Sequence, residues 1–355
     1  MEQQIREWLR QAASTGASDL HIVAGYPPTL RLHGQLRALP VPALTEQAAR
    51  ETLEAICPPD VLEKLRTERN ADFAWQLPMD NRQQRFRVNY FFSGGSLGGC
   101  FRVIAAEIPD FTWSGFPREL AHRLAHFLNG LVLFSGVTGA GKTTTLAMII
   151  NLLNQEGGHR IITVEEPIEY LFPATANSIV TQREVGHDVE SFADGLKFGL
   201  RQDPDVILVG EIRDRDTAQM ALSAAETGHL VFSTLHTRDA KGAISRFVDL
   251  FPQTAQTDVR SQLSLSLRAV ISQHLLPSVD PDGKRELALE ILFNNAPVAS
   301  AIRFGKVESI DTSIQIGRAD GMVMLDESIK QLFLAGRISR DTAERFISNR
   351  ELLKR

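Results

Sequence analysis

The stretch Gly136-Val137-Thr138-Gly139-Ala140-Gly141-Lys142-Thr143 follows an apolar run, Leu131-Val132-Leu133-Phe134, and precedes a helical pattern over residues 144–153. Strand, glycine loop, Lys-Thr and helix in that order spell a phosphate-binding loop. Glycines at 136, 139 and 141 let backbone N–H groups turn inward onto phosphate oxygens, and the following helix points its partially positive end at the same place. On this reading Gly136, Thr138, Gly139, Ala140, Gly141, Lys142, Thr143 and Thr144 hold a nucleotide. Lys142 reaches the β- and γ-phosphates, and the Thr143 hydroxyl ligates Mg²⁺.

Hydrolysis of a nucleoside triphosphate at such a loop needs carboxylates at the ends of neighbouring strands, one for the Mg²⁺ shell and one for the attacking water. Two segments offer them. Ile161-Ile162-Thr163-Val164-Glu165-Glu166-Pro167 is a strand pattern ending in acids, and Val206-Ile207-Leu208-Val209-Gly210-Glu211 delivers Glu211 at its carboxyl end. That end of an open α/β sheet is where ligands bind. A third segment, Gly228-His229 through Leu235-His236, places a histidine on either side of a short apolar run. A zinc reading would need further ligands at sensible spacing, which the neighbourhood lacks. Phosphate sensing, hydrogen bonding to the acids, or a purely structural role remain for His229 and His236.

The elements that must position these groups fall into two domains, as 355 residues predict. Residues 1–105 read as a small α+β domain: an amphipathic helix carrying Ile5, Trp8, Leu9 and Ala12, an extended stretch turning at Gly34, a helix from Thr45 to near Cys57, then strands around 72–75, 85–92 and 99–104. Residues 106–117, broken by two prolines and a glycine, read as a linker. Residues 118–355 alternate helix and apolar strand, which predicts a parallel sheet covered on both faces. From about Asp239 the pattern turns mostly helical.

Composition narrows the classes. Hydrophobic residues at 43% and charged residues at 23% fit a globular chain with a sizeable core. The net charge of −5 argues against sequence-independent nucleic-acid binding, and Arg118–Arg123 and Lys354-Arg355 read as solvated surface. Two cysteines, Cys57 and Cys100, read as ordinary thiols of a reducing compartment. With no apolar run near the roughly 18 residues of a membrane span, and charge where a signal peptide would be apolar, the expected location is cytoplasmic.

In this order, the four central segments resemble the secretion-ATPase superfamily, most closely the PilT-like retraction ATPases of type IV pili. The likeness spans nearly the whole chain. Ala17-Ser18-Asp19-Leu20-His21, Pro27-Pro28, Arg85-Phe86-Arg87-Val88-Asn89 and Phe101-Arg102 resemble that family's PAS-like amino-terminal domain. The Lys142 loop matches its Walker A motif, residues 165–169 its Asp box, Gly210-Glu211 its Walker B, and residues 228–236 its His box. The resemblance implies a RecA-like P-loop ATPase domain with a helical carboxyl-terminal region, ATP and Mg²⁺ as cofactors, and a homo-hexameric ring. It further implies that Glu165 acts on the attacking water, Glu211 supports Mg²⁺, His229 and His236 serve the site, and Arg87 and Arg102 approach the γ-phosphate.

Within the superfamily, assembly and type II secretion ATPases usually carry a four-cysteine zinc segment, where this chain has the short connection 277–284. Gln315-Ile316-Gly317-Arg318-Ala319-Asp320-Gly321-Met322 and Leu325-Asp326-Glu327-Ser328 also match the retraction branch. Two positions depart from it. Glu166 stands where the Asp box usually has Asp, and residues 297–304 lack the first arginine and the asparagine of the family's Ala-Ile-Arg-Asn-Leu-Ile-Arg-Glu helix. The implied function is ATP-driven pilus retraction and twitching motility, docked on an inner-membrane platform protein. The alternatives are an accessory, weakly hydrolysing subunit that assists another retraction ATPase, and an assembly or type II secretion ATPase. Neither nucleic acid nor direct membrane insertion is expected.

Overall fold

The computed structural model describes residues 1–32, 35–79, 82–104, 107–280 and 285–354. The Gly34 turn, Ala105 at the edge of the expected linker, residues 281–284 and Arg355 lie outside them. Two compact units emerge, Met1–Glu107 with Glu169–Leu171, and Ile108–Ile168 with Phe172–Arg355. No helix among the described residues is long and apolar enough to cross a membrane.

The first unit is an antiparallel sheet with three helices. Strands β1 (Asp19–Ile22), β2 (Thr29–Leu32), β3 (Gln35–Ala38), β4 (Asn70–Met79), β5 (Arg82–Ser93) and β6 (Ser96–Val103) lie in the order β3-β2-β1-β6-β5-β4. Alternation sorts the faces: Phe86, Val88 and Tyr90 are buried, whereas Arg87 and Asn89 between them are half-buried. The buried set shares its core with Ile5, Trp8, Leu9 and Ala12 of α1 (Glu2–Ser14) and Leu53 of α2 (Glu46–Glu54). The second helix ends ahead of Pro58-Pro59, as those residues require. The prolines also open a further helix, α3 (Pro59–Glu68), with Pro59 in the first turn, where its missing N–H costs nothing.

The second unit contains α4 (Phe111–Ser114), α5 (Arg118–Ala125), β7 (Gly130–Ser135), α6 (Lys142–Glu156), β8 (Arg160–Glu165), β9 (Ile179–Glu184), α7 (Phe192–Gly199), β10 (Val206–Val209), α8 (Arg215–Glu226) and β11 (Leu230–Leu235). It continues through α9 (Ala240–Asp249), α10 (Gln256–Ser266), β12 (Leu267–Leu276), β13 (Glu286–Phe293), α11 (Ala296–Arg303), α12 (Ile310–Ile316), α13 (Leu325–Leu334) and α14 (Arg340–Phe346). The sheet order is β13-β12-β7-β11-β10-β8-β9, parallel from β12 to β9. β7 and β11 are buried at every residue, as strands covered on both faces must be.

The chain after Asp239 is mostly helical as expected, but it also returns two strands to the sheet, β12 parallel beside β7 and β13 antiparallel on β12. Strand β9, beyond β8, was not foreseen at all. The linker is also shorter than 106–117: Asp110 caps α4 by accepting from the Trp113 N–H, and Phe116, 2% exposed, is part of the second unit's core. Burial of the apolar Ile108, Phe111 and Phe116 draws this segment onto the second unit.

Beyond β13, Ile291 and Val323 exchange two backbone hydrogen bonds, at 2.8 and 3.0 Å, so one residue of the carboxyl-terminal segment continues the sheet.

Candidate active site

β7 runs straight into the glycine loop. Gly136, Gly139 and Gly141 have φ of +144°, +78° and +86°, which side chains other than glycine rarely adopt. At Gly136 a Cβ would also lie 2.6 Å from the Gln273 carbonyl oxygen of β12. Gln273 serves the loop a second time, since its amide donates to the Thr145 hydroxyl at 2.9 Å. Helix α6 begins at Lys142, with Gly141 as its N-cap. Buried Lys142 donates from Nζ to the carbonyls of Gly136 at 2.7 Å and Val137 at 3.2 Å. Burial pushes its pKa below the ordinary lysine value, and the Glu211 charge opposes that fall. Ala140 is buried, Thr144 half-buried, and Thr138 and Thr143 exposed.

The acids arrive on adjacent strands. Val164 pairs with Val209 in the parallel β8–β10 ladder, so Glu165 and the Gly210-Glu211 dipeptide leave the sheet side by side. Glu165 is buried and accepts from the Thr163 hydroxyl at 2.7 Å and the Gln182 amide at 3.1 Å. Donors on the charged form hold the carboxylate in one orientation. Gln182, on β9, was not foreseen as part of the site.

Glu211 sits in a network that spacing alone did not reveal. Arg213 donates to both of its oxygens, from Nε to Oε1 and from Nη2 to Oε2 at 3.0 Å, and from Nη1 to Glu166 at 2.7 Å. His236 Nε2 lies 3.3 Å from Glu211 Oε2. Burial pushes the Glu211 carboxyl up, but the Arg213 bonds and charge, helped by His236, outweigh it and hold the carboxyl below its ordinary range. One guanidinium thus ties the two acidic segments together, a task its planar fork suits and an ammonium does not. The available signal was the i, i+2 spacing of Glu211 and Arg213.

The two histidines part company. His236 follows the carboxyl end of β11, at the acidic edge. His229 precedes the amino end of the same strand, roughly 20 Å away at the strand rise per residue. There its backbone N–H and Nδ1 both meet the Ala224 carbonyl, so it closes the end of α8. Within this chain His229 is not brought to the phosphate loop, because a parallel strand of six residues separates them.

Arg87 and Arg102 belong to the first unit, where they face each other across β5 and β6. Register extends the row to Asp19 and Arg31, and Arg102 Nε donates to Asp19 at 3.0 Å.

A strand–glycine loop–helix with its lysine, beside two strand-end glutamates on a parallel sheet, defines a P-loop nucleoside triphosphatase. The sequence matches the family described as Type II/IV secretion system protein over residues 1–320, and the chain belongs to that family. It is an ATP hydrolase of the secretion-ATPase superfamily. It is 40% identical to the type IV pilus retraction ATPase PilT of Pseudomonas aeruginosa, over 96% of each chain. A twitching motility protein of Neisseria gonorrhoeae is 39% identical over 93% of this chain and 86% of its own length. Among solved structures, the pilus retraction motor PilT with bound ADP superposes with a TM-score of 0.89 at 39% identity, covering 100% of this chain and 99% of that one.

Proposed function

We propose that this chain retracts type IV pili, as a homo-hexameric ATPase working on an inner-membrane platform protein from the cytoplasmic face. The observation that carries the reading is the assembly of Lys142, Glu165 and the Glu211–Arg213–Glu166 network at one edge of the sheet. Full-length likeness to retraction and twitching proteins supports the choice of task.

The loop N–H groups and Lys142 bind the triphosphate and neutralise charge on its oxygens. Buried and oriented by Thr163 and Gln182, Glu165 positions the attacking water and takes up its proton. The donor set also fits Mg²⁺: an exposed Thr143 hydroxyl in the first turn of α6 for direct ligation, and Glu211 through water, since Arg213 engages both its oxygens. When bound, Mg²⁺ would neutralise charge building on the phosphate oxygens. Arg87 and Arg102 of a neighbouring subunit contact the γ-phosphate. Their contacts supply the differential affinity by which ATP closes the interdomain arrangement and hydrolysis releases it.

The test is ATP turnover with Mg²⁺ across a protein concentration range that spans assembly, beside Glu211→Ala. Turnover that rises with assembly and vanishes in the variant supports a ring motor. An active monomer refutes it, and well-formed rings that bind ATP without turning it over point to an accessory subunit.

A further inference from the structure

At the far end of the phosphate-loop helix, about 21 Å from Lys142 at the helical rise, three side chains converge that the ATPase site does not use. His122 and His126 stand four residues apart at the end of α5, and Glu156 is the last residue of α6. His122 Nδ1 lies 3.2 Å from Glu156 Oε1, and His126 Nε2 lies 3.5 Å from Oε2. The three candidate ligand atoms all fall within 4.8 Å of one another. Nitrogen and oxygen ligands held at about 2.0–2.2 Å on a tetrahedral zinc lie roughly 3.3–3.6 Å apart, so each histidine nitrogen stands near ligand spacing from one of the two Glu156 oxygens. We propose that His122, His126 and Glu156 form a binding site for a divalent transition-metal ion of the zinc type.

Protonation chemistry points the same way. His126 Nδ1 is 2.7 Å from the His122 carbonyl oxygen, which only accepts, so Nδ1 carries the hydrogen. In the neutral ring Nε2 then presents a lone pair to a carboxylate oxygen, a contact completed either by a bound cation or by a proton on the ring. A backbone carbonyl that fixes the tautomer of a ligating histidine is the usual outer support of a metal site. The field agrees: α5 and α6 both end at this cluster, and Glu156 adds a full negative charge to the negative end of α6. Arg118 is the opposing group, its Nε 3.4 Å from His122 Nε2. It is exposed and free to turn away when that nitrogen takes up the hydrogen.

The ligand set decides the ion. Two imidazoles and a carboxylate suit zinc and its neighbours, whereas Mg²⁺ prefers all-oxygen shells, so this site and the nucleotide site draw on different ions. Both histidines and Glu156 are partly exposed, which leaves the remaining coordination to water. A bound ion joins α5 to the end of α6 opposite the loop.

The experiment is calorimetric titration of chelator-treated full-length protein with zinc chloride at pH 7.5, without nucleotide. One zinc per chain is expected. Affinity should fall at least about tenfold in His126→Ala and in Glu156→Gln, and stay unchanged in a Cys57→Ser/Cys100→Ser variant. Zinc should raise the melting temperature of the wild type but not of His126→Ala, and affinity should fall as pH is lowered, because protons compete with the metal for the imidazole nitrogens. Absence of zinc binding, or equal affinity in wild type and His126→Ala, overturns the proposal and leaves a protonated histidine pair bridging to Glu156.

Discussion

Glu290 sits at 5% exposure on β13, its Oε1 accepting from the Ala240 N–H at the start of α9 at 2.7 Å. Its carboxyl also accepts from the Leu325 N–H, at the start of α13. Two helix N-termini favour the charged form. Burial opposes it and wins, with Asp239 and Asp311 adding to the rise, so the carboxyl titrates at about 7 rather than 4.5. Between those pH values the folded chain holds a proton that the unfolded chain has released. Stability contributed by this group therefore falls as pH rises through the window, and the full cost is present above about pH 7. The difference amounts to about 3 kcal/mol. Glu290→Gln keeps an acceptor for Ala240 and removes the ionisation. The variant should match the wild type near pH 4 and exceed it by about 3 kcal/mol at pH 8. Urea unfolding followed by far-ultraviolet circular dichroism from pH 4 to 8 measures the difference. A variant-minus-wild-type gap that stays constant over that range would refute the reasoning.

Removing the Lys142 ammonium with Lys142→Ala should cut ATP turnover at least about a hundredfold, read by steady-state phosphate release. Glu165→Gln should lose a similar factor while still binding ATP, so nucleotide binding and single-turnover rates separate the two variants. Arg213→Ala frees the Glu211 carboxyl from the partner that holds its pKa down. The acid limb of the pH–rate profile should then move to higher pH, and an unshifted limb would show that Glu211 does not set it. His229→Ala removes a contact to the α8 carboxyl end and should cost about 1 kcal/mol of stability. It should lower kcat far less than His236→Ala, and equal losses in the two would place His229 in the chemistry.

The phosphate loop was fully legible because its determinants are local: glycines where φ is positive, a lysine at the first helical residue, and an apolar strand before it. Glu165 and Glu211 were legible because both end apolar strands. What sequence reading missed depends on tertiary neighbours. Arg213 joins acids from two strands, and Gln182 and Gln273 reach the site from strands that flank it, β9 and β12. β12 itself was lost among helices because Leu267–Leu276 lies inside the sheet and shows no two-residue alternation. His229 was grouped with His236 because a motif gives order along the chain but not the length of an extended strand between its members.

The backbone exchange between Ile291 and Val323 bears on how copies of this chain meet. An open sheet offers free N–H and C=O groups at each edge, and such an edge recruits strands from other chains. Here the chain places its own residue against β13 and follows it with α13, so strand addition on that side is blocked from within. In the ring proposed above, subunits meeting on the β13 side would pair through side chains rather than by merging sheets, which would leave each copy free to change its angle to the next without breaking a shared ladder.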